Sequence, residues 1–157
     1  MEASEYKKAF SEFASGVTVI SFRNGGKLGG LTASSFTSLS MDPPLLLFCL
    51  QKTSQALANI QSSGFFSVNI LSSEQEEISN SMASATLDKD VYLKSKLEES
   101  APEHAVWING ASASFLTSLD QVIEGGDHWI LTGKILEAKV RENTKPLIYF
   151  KRKYHTI

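Results

Sequence analysis

Apolar and polar positions along this chain change period several times, and each change marks an element. Tyr6, Ala9, Phe10 and Phe13 recur at helical spacing behind Ser4, which predicts a capped amphipathic first helix that Gly16 ends. Val17 to Phe22 is β-branched and apolar, and Asn24-Gly25-Gly26 behind it is a hairpin signal. The returning strand is predicted from about Leu28 through a hydroxyl-rich segment to Leu39. Pro43 and Pro44 interrupt the ladder, and the unbroken run Leu45 to Leu50 then reads as a central strand covered on both faces.

Ser54 caps a predicted short helix carrying Leu57 and Ile60, which Ser63-Gly64 closes. Phe65 to Leu71 returns as a strand, and Glu74 to Met82 is predicted helical with acidic residues at its start. Residues 84 to 104 are mixed and charged, without a clear period. From Trp107 onward strands are predicted again: Ala111 to Asp120, Gln121 to Glu124, and His128 to Val140 after a Gly125-Gly126-Asp127 turn. Lys145 to Tyr154 supplies a last strand with a basic, aromatic end. Many short strands with few helices point to a mainly β fold, a closed antiparallel barrel with peripheral helices, and argue against a doubly wound parallel sheet.

Composition narrows the function classes. A chain of 157 residues fits a single domain, 1–157, and buries enough surface to need no disulfide. Net charge of −2 gives no electrostatic reason for nucleic acid or an anionic membrane as partner. No apolar run approaches the ~20 residues that span a bilayer, and one cysteine suits a reducing, cytoplasmic setting. That cysteine, Cys49, sits in Leu-Leu-Leu-Phe-Cys-Leu and reads as a buried, inert thiol.

The chemistry concentrates in Gly29 to Pro44, where two glycines and six hydroxyl side chains suit close approach of a flat polar ring or a phosphate. Gln51, Lys52, Thr53 and Ser54 lie at a strand-to-helix corner, where a helix N-terminus and a lysine favour an anion. His128 is the most informative titratable residue. As neighbours on a strand, Asp127 and His128 would point to opposite faces, which argues against a direct dyad. His104, His128 and His155 lack ligand-like spacing, so no metal site is expected. No Gly-x-Ser-x-Gly elbow accompanies the serines, which argues against a hydrolase.

Three segments in order resemble the flavin reductase family, whose fold is the FMN-binding split β-barrel, a Greek-key antiparallel barrel. They are Phe13 to Phe22 leading into Gly30 to Pro44; Leu45 to Leu71; and Gly125 to Ile135 followed by Pro146 to Tyr154. The resemblance implies a small homodimeric enzyme that reduces FMN or FAD with NADH or NADPH and hands the reduced flavin to a partner monooxygenase. A flavin-binding electron-transfer protein reduced by another protein is the alternative on the same fold. The resemblance implies flavin contact along Leu31, Thr32, Ala33, Ser34 and Ser35, along Cys49, Leu50 and Gln51, at Ala83 and Ser84, and by the tail aromatics Tyr149 and Tyr154. It assigns the flavin phosphate to Lys52 and Ser54, and sets His128 against the nicotinamide as the catalytic-site residue. Lys151 or Arg152 would steer anionic dinucleotides. Hydride transfer needs no acid–base dyad from the protein, only two rings held at roughly 3–3.5 Å.

Overall fold

The computed structural model describes residues 1–157. In chain order its elements are α1 (Ala3–Phe10), β1 (Ser15–Gly16), β2 (Thr18–Asn24), β3 (Lys27–Ala33), β4 (Thr37–Met41), β5 (Pro44–Gln51), α2 (Ala56–Ser63), β6 (Phe65–Ile70), α3 (Glu76–Ala83), α4 (Lys89–Lys94), β7 (Ala113–Gly125), β8 (His128–Val140), β9 (Ile148–Phe150) and β10 (Lys153–His155). Seven strands form one antiparallel sheet in the order β3-β2-β6-β7-β8-β5-β4, and β1, β9 and β10 form a small second sheet. This is an antiparallel barrel with peripheral helices, as the pattern predicts, and of the split type that the resemblance implies.

The predicted single strand through the hydroxyl segment is two strands, β3 and β4, and they lie at opposite edges of the sheet. Only Ser34, Ser35 and Phe36 connect them. Laid flat, seven strands would put those edges about 29 Å apart. The four Cα steps from Ala33 to Thr37 reach about 14 Å at most. The sheet therefore has to roll until the end of β3 and the start of β4 come within that reach, and the short link is what holds it rolled.

Rolling gives the sheet an inside and an outside with separate cores. Ile20, Phe22, Leu46, Phe48, Leu50, Phe66, Val68 and Leu131 fill the inside, with Ala56 and Ile60 of α2 packed against them. Outside β2, a second core gathers Val17, Val19, Leu71, Ile78, Met82, Leu93, Val106 and Leu147 under α3, α4 and the tail. A Cβ on Gly30 would lie 2.7 Å from the Ile20 carbonyl oxygen and 2.9 Å from Met82 Cε, so glycine there is what lets α3 lie down on β3.

Between the outer face and segment 105–109 sits a buried polar knot. Asn69, fully buried, donates through Nδ2 to Ser21 Oγ at 2.9 Å and to the Val19 and Val106 carbonyls at 3.2 Å. Its Oδ1 accepts from Ile108 N–H and Ser114 Oγ, each at 2.9 Å. One side chain thus fastens an irregular segment to three strands.

Several local expectations change. The N-cap of α1 is Glu2, the helix stops at Phe10, and Gly16 belongs to β1. None of its stripe is buried: Phe10 is 63% and Phe13 75% exposed. β5 is not covered on both faces; Leu46, Phe48 and Leu50 point into the barrel while Leu45, Leu47 and Cys49 are half-buried outside. Cys49 is accordingly not the deeply buried thiol expected of an apolar run. Segment 105–109 is irregular, and the two strands predicted after it are one bulged strand, β7. The tail folds back as the β9–β10 hairpin through Lys151 and Arg152, both at positive φ. That conformation normally calls for Asn or Gly, so sequence carried no turn signal there. Within residues 84–104, α4 forms on Asp88, whose carboxylate accepts the Val91 N–H at 3.2 Å.

Asn69→Leu, close in size, should lower the unfolding free energy by about 3 kcal/mol, because buried partners lose their hydrogen bonds. Urea denaturation checks this; a loss below about 1 kcal/mol would show that the knot is dispensable.

Candidate functional site

The link that closes the barrel also leaves hydrogen-bonding groups over. The backbone N–H and C=O groups of Ser34, Ser35 and Phe36 make no backbone hydrogen bonds, since these residues belong to neither β3 nor β4. Ser35 instead uses its hydroxyl in place of a strand partner, accepting the Cys49 N–H and donating to the Cys49 carbonyl, both at 3.1 Å. Backbone groups left free at a strand edge suit a ligand that brings its own donors and acceptors.

Two clefts flank this stretch. The first, of about 890 Å³, is lined by Ser34, Ser35, Cys49, His128 and Tyr149, with α1 and the Lys151-Arg152 turn on its far walls. The second, of about 700 Å³, runs along β3 at Gly29, Gly30 and Leu31 and is lined opposite by Ser54, Gln55, Asn59 and Lys89. Leu31 to Ser35 therefore passes from one cleft to the other. Of its inner residues, Ala33 is buried and the Thr32 hydroxyl is donated to the Ser79 carbonyl at 2.6 Å, so their backbone is what they offer.

The remaining predicted residues divide. Leu50 points into the barrel core, and Gln51 is exposed beside His128 in the β5–β8 register. The N-cap of α2 is Gln55 rather than the expected Ser54, because the chain already turns helical at Gln55; Ser54, one residue earlier, accepts the Ala56 N–H through Oγ at 3.2 Å and faces the second cleft. Ala83 and Ser84 end α3 next to Ala85, which lines that cleft. The Tyr154 hydroxyl is tied to Ser79 Oγ at 2.8 Å and donates to Asn80 Oδ1 at 3.0 Å, with the Tyr149 ring 5.4 Å away. Lys52 turns from the second cleft: its ammonium pairs with Glu124 and lies 4.9 Å over the Trp129 ring. The ion pair holds the Glu124 carboxyl below the usual carboxylate range.

Sequence reasoning did not find Lys89. Its ammonium donates to the Gly30 carbonyl at 2.9 Å within the second cleft, and burial pulls its pKa below the ordinary lysine value. The Asp88 N-cap that starts its helix is the signal that could have located it.

The expected separation of Asp127 and His128 is overturned. Asp127 belongs to the turn, after Gly126 at φ 64°, rather than to β8, so strand alternation does not govern it. Its carboxylate accepts from His128 Nδ1 at 2.7 Å, and this bond holds the Asp127 carboxyl below its ordinary pKa. The Lys52 N–H donates to the Asp127 carbonyl at 3.0 Å, anchoring the turn to the corner after β5.

The fit to a flavin rests on the donor set: free backbone groups at the link, and a hydroxyl and an ammonium in the adjoining cleft. These match a ring edge and a phosphate in turn. Neutral His128 should carry its proton on Nδ1, because Asp127 accepts it there, leaving Nε2 bare. Imidazole ¹⁵N shifts in mildly alkaline buffer report this; Asp127→Ala should move the proton to Nε2, and an Nε2–H tautomer in the unaltered protein would refute the dyad.

Comparison with known proteins gives the family. The family model described as the flavin reductase like domain matches residues 10–157. The chain is 34% identical over 152 residues to the 4-hydroxyphenylacetate 3-monooxygenase reductase component of Thermus thermophilus, covering 97% of this chain and 95% of that relative. It is 40% identical over 133 residues to the reductase component of a flavin-dependent trigonelline monooxygenase of Acinetobacter baylyi, covering 83% of this chain but 42% of that relative. The structure of the flavin reductase PheA2 superposes with a TM-score of 0.89 at 31% identity, covering 100% of this chain and 99% of the other. The chain belongs to the flavin reductase-like family.

Proposed function

We propose that this flavin reductase holds the flavin ring along the Ser34–Phe36 link, its phosphate in the second cleft, and the nicotinamide of NADH or NADPH in the first cleft at His128. The free backbone of the link is the observation that carries this reading. When both are bound, the nicotinamide supplies a hydride that the flavin accepts. The chain's own work is placement. Ser34 to Phe36 offer donors and acceptors to the ring edge, and Ser35 keeps that edge in register with β5 through Cys49. Asp127 fixes the His128 imidazole, which presents Nε2 to the carboxamide of the nicotinamide. Tyr149 walls the first cleft, and Lys151 and Arg152 attract its dinucleotide phosphates.

The phosphate's cation moves from Lys52 to Lys89 in this reading. Lys52 is engaged by Glu124 and Trp129, whereas Lys89 and Ser54 share the second cleft. The protein works in the cytoplasm and supplies reduced FMN or FAD to a partner monooxygenase, in keeping with the reductase components it resembles. It does so as a homodimer, for which the exposed Phe10, Phe13 and the 95%-exposed Met41 supply apolar surface. A solution mass of 17.2 kDa rather than twice that would count against the dimer.

Anaerobic stopped-flow tests the activity. NADH or NADPH should bleach the flavin band of protein mixed with FMN or FAD, and no bleaching with any pairing would refute the proposal. His128→Ala should raise KM for the nicotinamide roughly tenfold with flavin affinity kept, a loss of about 1.4 kcal/mol. Lys89→Ala should weaken FMN but spare riboflavin, while Lys52→Ala should treat the two alike; the reverse pattern would return the phosphate to Lys52.

A further inference from the structure

Something other than a strand ladder has to hold the Ser34–Phe36 link in one shape. Its backbone makes none of the hydrogen bonds that fix its neighbours, and only Ser35 is tied, through its hydroxyl, to Cys49. Burial along the link reveals a second restraint. Ala33, just before it, is buried in the barrel core, and Phe36, at its end, is half-buried against the same core. Ser34 and Ser35 between them are exposed, so the link is an arch with both feet inside. The Phe36 ring meets the Phe115 ring at 6.3 Å between centroids, tilted by 35°, within the range of a favourable aromatic pair. Phe115 lies on β7, the middle strand of the seven and three strands from each of the edges that the link joins. It is in register with Val68 of β6 and Ala138 of β8. Phe36 therefore reaches across the rolled sheet to its opposite wall, and neither ring lines a cleft.

We infer that the Phe36 side chain, seated on Phe115, is a positioning group for the reaction: from inside the barrel it holds the link backbone in the shape that receives the flavin ring. This deepens the flavin reading above and rests on it. The reason is conformational entropy. Backbone that has no hydrogen bonds and only one fixed foot samples several shapes, and each residue the ligand must then order costs about tenfold in affinity. With Phe36 seated, that ordering is done by folding, before the flavin arrives. Affinity for the ring thus depends on an aromatic contact that the flavin does not touch.

Isothermal titration with riboflavin, joined to ¹⁵N relaxation of the free protein, tests the anchor. Phe36→Ala should weaken riboflavin about tenfold and raise its KM, with kcat kept within about threefold. The order parameters of the Ser34 and Ser35 amides should fall from about 0.85 to below about 0.6. Phe36→Leu, which keeps an apolar foot in the core, should recover most of the affinity. Phe115→Ala should weaken riboflavin by about threefold to tenfold although it lines neither cleft, and the double variant should lose no more than Phe36→Ala alone. Val106→Ala, in the outer core, should lower Tm and leave riboflavin affinity unchanged. Where Phe36→Ala does not fold, Phe115→Ala decides alone. Unchanged riboflavin affinity in Phe36→Ala or Phe115→Ala, or an equal loss in Val106→Ala, would overturn the anchor and leave the flavin reading in place. Failure of the unaltered protein to bind riboflavin would overturn that reading, and the anchor with it.

Discussion

Three residues must carry the chain between strands that end up at opposite edges of a seven-stranded sheet, and this short tether dictates the molecule's shape. A flat sheet is out of reach, so the sheet rolls and its apolar face becomes an interior. The same tether cannot be a strand on either side, because it crosses from one edge to the other. Its backbone is left without ladder partners, and Ser35 repairs only one contact, to Cys49. Rolling of the sheet and the freeing of this backbone are thus one event. The two clefts lie on either side of the tether.

The supporting structure keeps that edge in place. Asn69 fastens segment 105–109 to the outer face, and Gly30 lets Met82 of α3 sit directly on β3. On the opposite side, Lys52 holds the β7–β8 turn through the Asp127 carbonyl, Glu124 and Trp129. That turn carries His128 to the first cleft. Lys52 therefore braces that turn, which its sequence position beside a helix start did not reveal.

Much of the fold was legible from periodicity and turn chemistry. Asn24-Gly25-Gly26 announced its hairpin, and Gly64 the end of α2 at φ 74°. What stayed hidden was whatever tertiary context decides. Lys151 and Arg152 turn the chain at positive φ without the residues that advertise it. The Asp127–His128 bond depended on which side of a turn boundary Asp127 fell. Lys89 sits in a segment with no period, and only folding brings it to Gly30. The resemblance supplied the ligand class, whereas the structure supplied the arrangement: Leu31 to Ser35 as a bridge between two clefts, and Lys89 in place of Lys52 beside Ser54.

The most direct test follows the amide groups of Ser34, Ser35 and Phe36 themselves. Amide resonances recorded while riboflavin is added, with hydrogen exchange measured at saturation, isolate the ring from any phosphate. The account predicts that these three amides shift and become protected from exchange, ahead of residues in the second cleft. Unchanged, fast-exchanging amides at all three positions in a riboflavin-saturated protein would contradict it.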